Sequence, residues 1–344
     1  MKLLRQSFDA FYDLIKYPVF WATRKDPETA HNLFTWFCRT LHKTRLEDIL
    51  LGHPESKRTC SVPISNAAGF NKNAEIPPQV LRAFGFDRVV VGTVTYDAWD
   101  GNPRPRVIRF PQTNSMINWM GLPGIGAKGV RANLKQYINP KDFVPVTINV
   151  MATPEKYREE DLEDLSQTIF YLNDIPCIDR IELNISCPNT SLPRGEYQRQ
   201  LDSMLGVVGQ SRRPDQVIYI KVSPDLEESD VDQILEVSGS HDVTGFTTTN
   251  TTTNHHQEFI PESPGKGGAS GDAVYEASLR VQRLFVDKIA RAGNDYRLIA
   301  CGGINSPARV QERLRHEASE IQIYTPFIFS GPRLLRKLKA AKYN

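Results

Sequence analysis

Ile181-Glu182-Leu183-Asn184-Ile185-Ser186-Cys187-Pro188-Asn189-Thr190 is the run on which the reading of this chain turns. Apolar residues at 181, 183 and 185 alternate as in a strand, and Pro188 cannot continue a ladder. Where strand becomes loop, two carboxamides, Asn184 and Asn189, flank a thiol that can accept a proton. Carboxamides offer both donors and acceptors and suit a planar polar ligand. The plainer reading is a buried cysteine ending a strand, because a free thiol usually behaves as a small core residue. The surrounding sequence decides between the two.

Outward from this run, short β-branched stretches alternate with longer stretches of helical period. The candidate strands are 62–68, 88–94, 144–150, 180–186, 217–222, 244–249, 297–301 and 320–325, with helix-like segments such as Glu159 to Leu172 and Ala277 to Ala290 between them. Eight strands with intervening helices predict an α/β chain folded as a (β/α)8 TIM barrel, whose chemistry sits on the loops after the strand C-termini. The interval 95–123, rich in Gly, Pro, Asn and Trp, reads as an excursion over the barrel mouth.

Ahead of the barrel, Leu4, Phe8, Phe11 and Ile15 form one amphipathic stripe, which Pro18 ends or kinks. Asp26-Pro27-Glu28 reads as an N-cap, a first-turn proline and a first-turn acid, opening a second stripe through Ala30, Leu33, Phe34, Phe37 and Leu41. Such a pair can pack on the main domain or lie on a bilayer surface. Residues 1–52 are thus read as a small helical piece and 53–344 as the barrel, with Gly52-His53-Pro54 as linker and His31 as an ordinary surface or satisfied histidine.

The 344 residues carry a net charge of +2 with both signs interspersed, so nucleic acid is not expected as a partner. Cys38, Cys60, Cys177, Cys187 and Cys301 are odd in number and lack C-x-x-C spacing, which argues for a reducing compartment and against a disulfide frame or zinc. The tandem His255-His256 has no partner at ligand spacing, so no metal is expected. No run of about 18 apolar residues predicts a membrane span, and the charged N-terminus lacks a signal-peptide core.

The strand ends share a chemistry. They present Ala68-Gly69-Phe70-Asn71-Lys72, Gly92-Thr93, Asn149, Asn184 with Cys187, Lys221, Thr249-Asn250-Thr251, Cys301-Gly302-Gly303 and Tyr324-Thr325. Singly, each has a structural explanation; on one rim they describe a site. The last two positions are where barrels bind phosphate through backbone N–H groups, and Gly267-Gly268-Ala269-Ser270-Gly271 reads as a second flexible loop. Phosphate at one end, carboxamides and hydroxyls in the middle and a buried lysine suit flavin mononucleotide. Lys221, in an otherwise apolar strand, must be paired, and a cation beside the N1–C2 edge would stabilise an anionic reduced flavin.

The motifs DPETAH at 26–31, AAGFNK at 67–72, GTVT at 92–95, GNPRPRVIRF at 101–110, INWMG at 117–121 and NISCPNT at 184–190 stand in order along the chain. KVSPDL at 221–226, TTNTT at 248–252, GGASG at 267–271, GGI at 302–304 and YTPFIFSGP at 324–332 follow. With them the chain resembles the dihydroorotate dehydrogenases, specifically the membrane-associated, quinone-using class 2.

The resemblance implies FMN-dependent oxidation of dihydroorotate to orotate in pyrimidine synthesis. It places FMN against Ala68, Gly69, Lys72, Thr93, Asn149, Asn184, Lys221, Thr249, Gly268, Gly303, Tyr324 and Thr325. Substrate would meet Lys72, the loop Asn118-Trp119-Met120-Gly121-Leu122, Asn184, Asn189, Asn250 and Thr251. Cys187 falls at the base position, taking the C5 proton while C6 delivers hydride to flavin N5. The N-terminal helices would form a quinone tunnel with His31, Arg109 and Tyr324 at its inner end, and would hold the protein peripherally at the cytoplasmic face of the cell membrane.

Several positions depart from the class 2 pattern. Cys187 stands where that class normally has Ser, Val150-Met151-Ala152 follows Asn149, Trp119 and Leu122 alter the substrate loop, and Asn71 replaces an acid. They leave two alternatives open. One is an FMN barrel using a soluble acceptor or another dihydropyrimidine-type substrate; the other is a non-catalytic flavin-binding protein of the membrane surface.

Overall fold

The structure, a computed structural model, describes residues 2–47, 62–139, 143–154, 158–185 and 194–343. Cys187, Asn189, the linker around Gly52-His53-Pro54 and the division at 52/53 lie outside the described residues.

Two helices lead. Helix α1 spans Lys2–Ala22 and passes through Pro18 for four further residues, so the proline does not end it. Helix α2 spans Glu28–Thr44 and closes on Arg45 in the left-handed region, whose N–H returns to the carbonyl oxygens of His42 and Leu41. The ring follows: β1 (Ile64–Asn66), α3 (Pro78–Phe84), β2 (Val89–Val94), α4 (Gly126–Tyr137), β5 (Val146–Val150) and α5 (Arg158–Leu172). It continues with β6 (Ile178–Asn184), α6 (Arg194–Ser211), β7 (Val217–Val222), α7 (Glu228–Ser238), β8 (Val243–Thr248) and α8 (Tyr275–Ala292). Last come β10 (Arg297–Cys301), α9 (Pro307–Arg315), β11 (Ala318–Ile323), α10 (Thr325–Ser330) and α11 (Pro332–Ala340).

The eight strands pair in parallel in the order β1-β11-β10-β8-β7-β6-β5-β2, and bridges Ser65–Arg88 and Asn71–Val91 close the ring between β1 and β2. This is the predicted (β/α)8 barrel, with boundaries within two or three residues of the sequence expectation. Strand faces toward the helices are continuous in Val and Ile (Val89, Val91, Val146, Ile148, Ile181, Leu183, Ile218, Ile220), all at most 1% exposed, as parallel strands covered on both sides require.

The interval over the mouth has structure of its own. Strands β3 (Val107–Phe110), β4 (Ser115–Asn118) and β9 (Gly268–Gly271) form a separate antiparallel sheet in the order β3-β4-β9. The glycine-rich run expected as a flexible loop is therefore a strand, in register Ile117–Ala269. Its glycines allow the close approach: a Cβ on Gly268 would lie 2.0 Å from Thr251 Oγ1.

The N-terminal pair packs on the barrel. Tyr12 Oη donates to the Ile328 carbonyl at 2.6 Å, Asp13 pairs with Arg333 at 2.8 Å, and Arg39 Nε donates to the Glu75 carbonyl at 3.0 Å. Phe34 stacks on Phe84 with centroids 5.7 Å apart.

Candidate active site

The barrel interior is polar and layered. Lower in the ring, Glu320 accepts from Arg180 Nη1 and Ser65 Oγ, each at 2.8 Å. One layer up, the fully buried Glu182 accepts from Thr247 Oγ1 at 2.6 Å and from Asn149 Nδ2 and Gln322 Nε2, each at 2.8 Å. A buried carboxylate needs this many donors to offset its lost hydration. Period-two alternation brings Arg180, Glu182 and Asn184 of β6 to one face, so the next layer, at the mouth, begins with Asn184.

That layer floors a cavity of about 1910 Å³ bounded by the strand C-termini, the β3-β4-β9 sheet and the two N-terminal helices. Of the residues assigned above to cofactor, Ala68, Gly69, Lys72, Thr93, Asn184, Lys221, Thr249, Gly268, Gly303, Tyr324 and Thr325 all line it. Asn149 does not. It lies beneath the floor, where its Oδ1 accepts from Thr93 Oγ1 at 2.6 Å, so it orients the threonine that faces the cavity. Thr93 in turn accepts from Asn184 Nδ2 at 3.4 Å, and Asn184 Oδ1 accepts from Asn250 Nδ2 at 3.4 Å. In place of the usual continuation after Asn149, Met151 contributes to the wall.

At the closed end, Gly302 and Gly303 turn with φ of +124° and +65°, and a Cβ on Gly303 would lie 2.6 Å from the Gly271 carbonyl oxygen. Only glycine makes this turn without strain. Two guanidiniums fix it from behind: Arg309 Nη1 donates to the Gly303 carbonyl at 2.6 Å and Arg313 Nη2 to the Gly302 carbonyl at 3.1 Å. Asp272, just after β9, pairs with Arg309. Burial draws the Arg313 guanidinium down to about 10. Thr325 Oγ1 and Ser270 Oγ, 2.8 Å apart, stand on the opposite side.

The loop Asn118 to Leu122, expected from the resemblance to meet substrate, leaves β4 and borders the cavity, as do Asn250 and Thr251. The Lys266 ammonium lies over the Trp119 ring at 4.9 Å. Asn71, where an acid was the family pattern, is 1% exposed and spans its own loop, accepting from Ile76 N at 3.0 Å and donating to Ile76 O at 2.9 Å. It thereby sets the position of Lys72. Burial pulls Lys72 down to about 7, against the upward pull of Glu28; Arg106 and Arg104 add to the fall.

Toward the helices the wall becomes aromatic. Arg109 stacks over Phe20 at 4.5 Å and donates to Thr23 Oγ1 (3.1 Å) and the Pro27 carbonyl (2.7 Å). Burial raises Tyr324 to about 12, with Glu28 adding and Arg109 opposing. His31 meets Phe70 edge-on at 6.2 Å, and Phe70 meets Tyr324 at 5.4 Å. Of the surface and satisfied alternatives for His31, the structure gives neither a solvent-facing ring nor an isolated one: it lies on the cavity wall against Phe70. Burial and the Lys72 charge lower it to about 4, so it is neutral near pH 7. The structure thus brings His31, Arg109 and Tyr324 to one wall.

Sequence reasoning missed Glu182, Gln322, Tyr12, Phe20 and the Glu28–Arg106 pair. The first two carry no signal beyond alternation within their strands, whereas Glu28 and Arg106 both fall inside quoted motifs.

A family profile described as dihydroorotate dehydrogenase matches residues 57–341. The chain is 34% identical over 282 residues to dihydroorotate dehydrogenase (quinone) of Corynebacterium glutamicum, covering 80% of this chain and 73% of that protein. Against the protein of the same name from Paraburkholderia phymatum it is 32% identical over 350 residues, covering 97% and 98%. Among solved structures, the DHODH of Eimeria tenella in complex with ferulenol superposes with a TM-score of 0.76 at 23% identity, covering 92% of this chain and 90% of that one. That last likeness concerns the fold.

Proposed function

The chain belongs to the dihydroorotate dehydrogenase family, and from that membership we propose that it oxidises dihydroorotate to orotate in pyrimidine biosynthesis, with FMN as cofactor and a membrane quinone as acceptor. One observation carries the reading: a single cavity joins the polar strand ends of the barrel to the aromatic wall of the N-terminal helices. At about 1910 Å³ it is larger than the roughly 300–1,000 Å³ that one small ligand occupies. It has room for an electron donor, a cofactor and an acceptor in line.

The residues present fit FMN. Lys221 is 4% exposed and faces the cavity. Gln322 Oε1, also buried on the lining, has no hydrogen-bond partner among the described residues. A ring edge with an N–H would supply that partner. The Gly302-Gly303 turn with Thr325 and Ser270 would take the phosphate, and Thr93, Asn184 and Thr249 the ring system. Bound there, FMN would supply the two-electron acceptor for the substrate and the donor for the quinone.

The chain's own groups would do the rest. Lys72 would hold the substrate carboxylate, and Asn184, Asn189, Asn250 and Asn118 the ring amides. Cys187 would take the C5 proton as general base; a thiol near ~8.5 ionises far more readily than a serine hydroxyl. Arg109, Tyr324 and neutral His31 would offer the quinone carbonyls their polar contacts, and the exposed apolar face of the helices would rest on the bilayer surface.

The test is anaerobic. Purified protein is expected to be yellow, to bleach with dihydroorotate and to recolour with a ubiquinone analogue, but not with fumarate or NAD⁺. Yellow protein that dihydroorotate leaves unbleached would sink the proposal; recolouring by fumarate or NAD⁺ would move it to a soluble acceptor.

A further inference from the structure

We propose that Glu28, on the first turn of α2, is a positioning residue for the substrate end of the cavity, acting through Arg106. The inference rests on the functional reading above and gives the N-terminal piece a second task besides receiving the acceptor.

Glu28 and Arg106 meet as a fork. Arg106 Nε lies 2.9 Å from Glu28 Oε2 and Nη2 lies 3.1 Å from Oε1, with side chains only 7% and 14% exposed. Paired planar groups of this kind set orientation as well as distance. Arg104 adds a contact to Glu28 at 3.2 Å and one to Asp26 at 3.4 Å. Glu28 is the one carboxylate paired with Arg106 among the described residues.

The other end of Arg106 gathers the hairpin. Its Nη1 donates to the carbonyl oxygens of Asp100 (2.6 Å) and Asn102 (2.8 Å) and reaches that of Met120 at 3.5 Å. The Arg106 carbonyl accepts from Trp119 N at 3.0 Å, while Asn102 N donates to Met120 O at 2.9 Å. Asn102 Nδ2 closes on Trp119 O at 2.6 Å. The limb before β3 and the loop after β4 are thus tied to one guanidinium. That loop carries Gly121 and Leu122 at φ of +69° and +58°, and just beyond it Gly124 pairs with Trp99 through backbone bonds of 2.8 and 2.9 Å.

Removing the Glu28 charge leaves a buried guanidinium without an anion, and it can recover hydration only by moving. Any such movement displaces Trp119 and Met120 with it. The same carboxylate also favours the charged form of Lys72, opposed by Arg106 and Arg104 and assisted by Glu75, with His31 on the facing side of α2.

The test uses detergent-solubilised holoprotein. In Glu28→Gln the dihydroorotate concentration that half-saturates anaerobic flavin bleaching should rise about tenfold or more, the size of a ligand hydrogen bond left unmade by the displaced loop. The limiting bleaching rate should stay within roughly threefold and the half-saturating ubiquinone analogue should be unchanged. Arg106→Lys, which keeps the charge and loses the fork, should behave alike. Arg106→Gln should raise the half-saturating dihydroorotate as well, and Glu28→Gln/Arg106→Gln should be no worse than the worse of its own two single variants. Where a variant loses flavin, orotate binding followed by calorimetry on Arg106→Lys reads the same displacement. A rise confined to the quinone half-saturation, or effects of the two changes that simply add, would overturn the proposal. Wild-type flavin that dihydroorotate fails to bleach would instead sink the functional reading, before any variant is made.

Discussion

Lys72 shows how burial tunes a single group. Its ammonium, ordinarily near 10.5, titrates near 7 because desolvation outweighs the pull of Glu28. The charge is thus half present near that value, gained as pH falls through it and lost as pH rises through it. A bound carboxylate stabilises the ammonium, so orotate binding at pH 8 should draw in a proton. Calorimetry in buffers of different ionisation enthalpy should record that uptake, and Lys72→Met should abolish it. Cys187→Ala should slow anaerobic bleaching by about 10²–10⁴ while the flavin absorbance stays; near-normal bleaching would remove the thiol as base. Lys72, Asn184, Lys221 and Gly303 were legible because each ends a strand in a pattern of strands. Glu182 was not: an acid between Ile181 and Leu183 reads as a solvent-facing position. Its burial depends on donors from β5, β8 and β11, which no local pattern reveals.

At the scale of elements, the mouth sheet is where local propensity misleads. Gly-Ala-Ser-Gly has almost no intrinsic strand tendency, yet β9 forms because β4 offers it a backbone edge and Thr251 stands too close for a side chain at 268. Gly268→Ala should accordingly push β9 from its place, with a loss on the order of 1–3 kcal/mol. Thermal unfolding would show the loss, and faster flavin release on dialysis would show where it falls. At Pro18 the sequence predicts that the helix ends or kinks; it does not end there, since α1 continues to Ala22. Arg109 belongs to this scale too, because it joins β3 to the α1–α2 turn. Arg109→Met should raise the half-saturating quinone about tenfold, the size of one charge-assisted contact, and leave bleaching by dihydroorotate unaltered; steady-state and single-turnover rates separate the two.

For the whole molecule, the barrel was readable because eight β-branched runs alternate with stretches of helical period, a pattern that points to βαβ units and a parallel sheet. The shape of the cavity was not, since it depends on how α1 and α2 lie across the mouth. No helix among the described residues is long and apolar enough to cross a membrane, yet Leu14, Trp21 and Trp36 are 73%, 70% and 66% exposed. Adding anionic lipid vesicles should shift tryptophan emission to the blue, and Trp21→Ser/Trp36→Ser should remove most of the shift. Closure of the ring carries one more consequence. Ile64 pairs with Ile321, and Ile117 with Ala269, so neither barrel nor mouth can form until late in synthesis. At about 5–20 residues per second, the helical pair is free of the ribosome for tens of seconds while the barrel is still an open arc. Local helices form far faster than such distant strand pairings. The apolar face of the pair is thus complete early, and a bilayer or chaperone can meet it before the cavity at the barrel mouth exists.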